Sequence, residues 1–238
     1  MDWLSAADYA ISNGVPLWCD DVLLAQVARS EGAKVFNTID VLNHRLATGA
    51  LAPELADSAL AALIVTRHVD LGFRAGPLTL ALGQDAWKPT GAALAISRPA
   101  AWGDPERVVT FVMTALRQVA ASDAEAVRGW VEAASLGLGR IGGDVTAIST
   151  NVAIFLQALI KEAWLGPSQM PFVVLGIRAA LAGQDGVGDP LEEAIAGHYA
   201  WAARQSSHEL AATTLIWLFA QCEERDRATV ARVILRAR

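Results

Sequence analysis

Two short apolar runs, Val15-Pro16-Leu17-Trp18-Cys19 and Lys34-Val35-Phe36-Asn37, flank a stretch from Asp21 to Ser30 that has the period of a helix. Val22, Leu23, Ala25, Val27 and Ala28 recur at helical spacing, and Gly32 supplies the residue on which such a helix ends. A strand, a helix and a second strand in that order form a crossover, because parallel strands cannot be joined by a tight hairpin. The sequence therefore predicts a parallel pair. Parallel sheets are covered on both faces, so two strands need further elements or a partner to shield them. Helices over about 39–47 and 53–69 follow, and this part reads β-α-β-α-α.

The text changes after residue 84. From Gln84 to Gly103 it is rich in breakers, with Trp87, Pro89, Gly91, Pro99 and Trp102, and reads as a linker or irregular segment. Beyond it every segment reads helical. Asp104-Pro105-Glu106 offers an N-cap followed by proline, and Ser122-Asp123-Ala124-Glu125 reads as a capping box. Gly143-Asp144 opens a helix that Gly166 closes, and Pro171 opens another that stops at Gly183. Asp189-Pro190 and Ser206-Ser207-His208-Glu209 then repeat the pair of caps, which relates two helical hairpins at a period of about 85 and is the basis for expecting a repeat-like helical stack.

Composition narrows the function classes. With 53% hydrophobic and 18% charged residues among 238, the chain is neither disordered nor collagen-like. Nineteen basic against twenty-five acidic residues give a net charge of −6, which argues against a surface built to coat nucleic acid or to hold an anionic membrane. No uncharged apolar run reaches membrane-spanning length; Val145–Ile160 and Leu210–Cys222 read as buried helices. Met1-Asp2-Trp3-Leu4 has no basic export region. Cys19 and Cys222 are too far apart in sequence for a metal knuckle and read as small buried hydrophobes of a reducing, cytoplasmic compartment. Arginine outnumbers lysine 16 to 3, as a GC-rich bacterial genome produces.

The stretch that carries chemistry is Asp20-Asp21, which follows the first strand. Adjacent carboxylates at the C-terminal end of a parallel strand stand where open α/β sheets place ligands, and carboxylate oxygens suit Mg²⁺ or Mn²⁺. The plainer reading is that one of the two caps the following helix. Strand, Asp20-Asp21, a helix with Ala25 and Ala28, Gly32, the strand Val35-Phe36, and Thr38 opening a helix resemble, in that order, the C-terminal half of the PIN-domain nucleases. Leu71-Gly72-Phe73-Arg74 with Leu78 resembles the tail of bacterial members, so the likeness covers about residues 1–85. It implies an acidic cluster that holds Mg²⁺ or Mn²⁺ and cleaves single-stranded RNA. By this resemblance Asp20, Asp21 and Asp8 are metal ligands and Thr38 is a supporting hydroxyl. Asp8 stands nearer Gly14 than the family has it, and Asn37 stands where a glycine is common. The family's first strand and its catalytic aspartate have no counterpart before Asp20-Asp21. The chain is thus expected to be a remnant, a half that pairs with a separately encoded half, or a truncated reading frame.

Other chemistries have less support. His44, His68, His198 and His208 show no zinc spacing. Gly137-Leu138-Gly139-Arg140-Ile141-Gly142-Gly143 lacks the strand that a dinucleotide loop requires and reads as an interhelical turn. Trp130, Trp164, Trp201 and Trp217 read as core, although rings can also stack on bases. Arg225, Arg227, Arg232, Arg236 and Arg238 read as a solvated basic helix end. The expected architecture is α-rich α/β: an incomplete PIN-like parallel module over 1–85, a linker over 86–103 and an all-α, repeat-like domain over 104–238. The expected function is that of a PIN-like protein related to metal-dependent ribonucleases but inactive by itself. The alternative is a non-catalytic helical interaction module working with a protein partner or as a homo-oligomer.

Overall fold

The computed structural model describes residues 3–67 and 70–237. Contacts divide the chain into two units, residues 1–60 and 61–238. The first unit begins with α1 (Trp3–Asn13), followed by β1 (Leu17–Trp18), α2 (Val22–Ser30), β2 (Val35–Phe36) and α3 (Thr38–Ala47). The strands are parallel, with Leu17 beside Val35 and Trp18 beside Phe36. The crossover expected from the sequence is therefore present, although each strand is shorter than its apolar run. Gly32 takes a left-handed φ of +94° at the end of α2, a turn that a side chain would resist. The chain then enters α4 (Pro53–Val65), which stops short of the expected Val69; Val69 itself lies outside the described residues.

The second unit is all-helical among its described residues: α5 (Ala75–Gln84), α6 (Gly91–Ile96), a 3-10 turn (Pro99–Gly103), α7 (Pro105–Val119), α8 (Ala124–Ile141), α9 (Val145–Ile160), α10 (Met170–Leu181), α11 (Leu191–Gln205), α12 (His208–Leu218) and α13 (Glu224–Arg236). Helix starts follow the capping residues. Asp104, Asp144 and Ser207 each accept a backbone N–H from the first turn of the helix they open. At α8 the cap is Asp123 rather than Ser122, because the Asp123 carboxylate is the one that reaches the Ala126 N–H. α8 is the central element, packing against α7, α9 and α10. Gly176 lets α10 approach closely, since a Cβ there would lie 2.6 Å from the Arg128 carbonyl oxygen.

Two segments depart from what residue order predicts. Residues 86–103 are no free linker: Ala92, Ala93, Ala95, Ile96, Ala101 and Trp102 are buried in the core of the second unit. The prolines and glycines of that segment shape short helical turns around a buried tryptophan. The division observed falls instead between Leu60 and Ala61, within α4. Likewise Gly137 and Gly139 lie inside α8, and only Gly142 and Gly143 follow it. Trp102 is the reason, because its indole occupies the space that a side chain at 137 would fill.

The tryptophans divide by environment. Trp130 is fully buried, whereas Trp201 and Trp217 are exposed and Trp164 is partly buried. Lys161 covers the Trp201 ring, its ammonium 4.4 Å from the ring centre. The basic residues of α13 are held locally. Arg236 pairs with Glu192 at 2.6 Å, Arg225 pairs with Glu223 at 2.8 Å, and Arg227 donates to the Cys222 carbonyl at 2.6 Å. Arg238 lies outside the described residues. Burial pushes the Cys222 thiol up to about 12, which leaves it a thiol rather than a nucleophile. Among the described residues no helix is long and apolar enough to cross a membrane.

His198, on α11, is buried, and its Nδ1 has no hydrogen-bond partner among the described residues. Burial, reinforced by the nearby Lys161 charge, lowers its pKa below the ordinary 6.5. The unfolded chain then binds a proton that the folded chain refuses, so stability present above the ordinary histidine value is lost as pH falls below it. Thermal unfolding should show the wild type losing more of its midpoint between about pH 7.5 and about pH 5.5 than His198→Gln does.

Candidate functional site: the end of the parallel strand pair

The parallel register brings the C-terminal ends of β1 and β2 side by side, with the Cys19 N–H donating to the Phe36 carbonyl at 2.9 Å. Asp20 therefore leaves β1 facing the first turn of α3. Its Oδ1 accepts the Thr38 backbone N–H at 2.7 Å, and its Oδ2 accepts the Thr38 hydroxyl at 2.7 Å. The Trp18 indole N–H donates to the same Oδ2 at 3.2 Å. The Trp18 ring in turn packs against Phe36, with 5.8 Å between centres. A negative carboxylate at a helix N-terminus is favoured by the helix dipole as well as by these bonds.

Asp21 has a different role. Its Oδ1 accepts the Leu24 N–H at 2.9 Å and caps α2. Asn37 caps α3 in a reciprocal box with Asp40, and this accounts for an amide where the family resemblance has glycine. Asp20 and Thr38 are thus brought together, Asp21 is turned to its own helix, and Asp8 is exposed on α1 with no hydrogen bond to the other three among the described residues.

A divalent ion of the Mg²⁺ or Mn²⁺ type needs several oxygen ligands converging on one point. Among the described residues no group of three or more His, Cys, Asp or Glu side chains converges in that way. Both Asp20 oxygens are engaged by Thr38 and Trp18, and one Asp21 oxygen is taken by the Leu24 N–H. These residues do not by themselves fit the ion.

The immediate consequence is structural. Asp20→Ala removes the anion that receives the first N–H of α3 and should destabilise the first unit by about 1 kcal/mol, the usual cost of a lost cap. Hydrogen exchange at the Thr38 amide reports it directly. Exchange should accelerate in Asp20→Ala and stay near wild type in Asp21→Ala.

Around this corner the apolar residues are distributed the wrong way round for a closed core. α2 buries Ala25 and Ala28 while Val22, Leu23 and Val27 are 52%, 74% and 50% exposed. Trp18 is 59% exposed, and Leu4 and Tyr9 of α1 are exposed as well, while Ala7 and Ala10 are buried. Helical periodicity marked α2 as amphipathic but did not reveal which face was inward. The available signal was the segregation of small residues to one side and large ones to the other.

The chain matches no family model, and no curated protein or solved structure shows significant similarity to it.

Proposed function

We propose that this chain is a PIN-like interaction protein that does not cleave RNA by itself, and that its first unit docks a basic, apolar segment of a partner protein. The observation that carries this reading is the inverted burial of α2, with alanines inward and Val22, Leu23 and Val27 outward. Large apolar side chains gathered on one exposed helix face are characteristic of interaction surfaces. A parallel strand pair favours the same reading, because such pairs are ordinarily covered on both faces. Charge selects the partner. The first sixty residues carry eight acidic and three basic side chains, −5 of the chain's −6, which repels a phosphate backbone and attracts a basic polypeptide.

Two measurements test it. A labelled single-stranded RNA incubated with the chain and Mn²⁺ should remain intact; cleavage that disappears in EDTA and in Asp20→Asn overturns the reading. A fluorescent peptide of alternating leucine and lysine should bind the wild type and bind Leu23→Ser/Val27→Ser at least about tenfold more weakly. Those substitutions leave the charge unchanged, so equal binding by the variant would show attraction by charge alone and remove the docking face.

A further inference from the structure

A cleft of about 370 Å³ opens in the second unit beside the first turns of α7, within the size range of small-molecule sites. Its apolar wall is aromatic: Phe73, Trp87 and Phe111 line it. Phe111 meets Phe73 edge to face at 5.7 Å between ring centres and meets the buried Trp130 in the same manner at 6.3 Å. The wall is thus tied to the core rather than free to collapse into the opening.

Trp87 is held there by a strained turn. Ala86 and Trp87 both take left-handed φ values, +50° and +64°, which are costly for residues other than glycine. Three bonds maintain the turn. The Trp87 N–H donates to the Leu82 carbonyl at 2.9 Å, the Trp87 carbonyl accepts the Trp130 indole N–H at 2.8 Å, and the Thr90 hydroxyl bonds to Asp85. Strain sustained by a buried indole suits a ring that has to be presented at one place.

The mouth carries one charge of each sign. Arg107 lies over the Phe73 ring, 5.5 Å from its centre, and Glu106 lines the same cleft. Neither side chain has an ion-pair partner among the described residues. The Thr110 hydroxyl donates to the Glu106 carbonyl at 2.9 Å and the Thr114 hydroxyl to the Thr110 carbonyl at 3.0 Å, so both hydroxyls offer lone pairs to the cleft. An aromatic anion would satisfy Arg107 but face Glu106, and an aromatic cation would do the reverse. A ring that bears an ammonium and a carboxylate on one carbon satisfies both.

We propose that this cleft binds a free aromatic α-amino acid, its ring against Trp87 and Phe111, its carboxylate on Arg107 and its ammonium on Glu106. The site lies wholly in the second unit, and its fate is independent of the docking face on α2.

Titration calorimetry with L-phenylalanine tests it, using N-acetyl-L-phenylalanine to remove the ammonium, L-phenylalaninamide to remove the carboxylate and L-leucine to remove the ring. L-phenylalanine should bind saturably with a Kd below about 1 mM, and each of the other three at least about tenfold more weakly. Arg107→Gln should abolish the preference over the amide, and Glu106→Gln the preference over the N-acetyl compound. Absence of saturable binding, equal affinity across the four ligands, or preferences unchanged in both variants would each overturn the proposal. The wild-type ligand series decides alone if either variant fails to fold.

Discussion

Replacing Asp226 with alanine should cost the second unit about 3–5 kcal/mol, the loss expected when one partner of a buried ion pair is removed. Asp226 is 2% exposed, and its Oδ1 lies 2.6 Å from the Arg178 guanidinium. The same guanidinium reaches Asp189 at 2.9 Å, so one arginine on α10 ties the turn before α11 to the first turn of α13. Burial by itself would lower the Arg178 pKa, yet the hydrogen bonds it donates to Asp226 and Asp189, with the attraction of their charges, outweigh burial and hold the value above the ordinary one. With Asp226 gone, the shorter of the two ion pairs disappears while the arginine stays partly buried. Urea unfolding followed by circular dichroism should show a clear drop in midpoint for Asp226→Ala and a smaller one for Asp226→Asn, which keeps the shape and one acceptor. Replacing both charges, as in Arg178→Met/Asp226→Leu, should recover much of the loss, because no unpaired charge then remains buried. A midpoint for Asp226→Ala equal to wild type would show that the pair is open to water in solution.

Gly137→Ala should be the second large effect, and its sign is contrary to helix propensity. Alanine is favoured over glycine in a helix interior by about 1 kcal/mol. At position 137, however, a Cβ would overlap the Trp102 indole nitrogen and come within 2.5 Å of the Ile96 carbonyl oxygen. Those two atoms are partners, the Trp102 N–H donating to the Ile96 carbonyl at 2.6 Å, so the substitution pushes a buried ring off its acceptor. Overpacking of this kind costs about 1–3 kcal/mol, to which the stranded indole N–H adds. Gly83 in α5 is the control. A Cβ there meets nothing within 4 Å, and Gly83→Ala should stabilise by about 0.5–1 kcal/mol. Opposite shifts of the two midpoints are the expected result.

Much of the local structure was legible from residue order because it depends on neighbours along the chain. The caps at Asp104, Asp144 and Ser207 and the stop at Gly32 each involve residues within about one helical turn of each other, and the crossover over 17–36 joins elements that follow one another directly along the chain. For the same reason the sequence allowed a capping role for one of Asp20 and Asp21, and Asp21 fills it. The bond from Asp20 to Thr38 spans eighteen positions and exists only because β1 and β2 pair in parallel, which the crossover pattern implied. Bringing a third acid to that corner would have required an arrangement that spacing cannot specify, and Asp8 is not brought there.

Residue order alone determined that this chain is α-rich, that it contains a parallel strand pair, and where most of its helices begin. Tertiary structure decided what the punctuation meant. Breakers between 86 and 103 became buried turns because Trp102 and Ile96 pack into the core, and glycines within α8 stayed helical because an indole fills the space beside them. It also decided which side of α2 faces inward and which charges meet at the cleft beside α7. The physical reason is range. Capping, turn and period effects act between near neighbours in the chain, whereas burial and charge pairing depend on residues that meet only after the chain has folded.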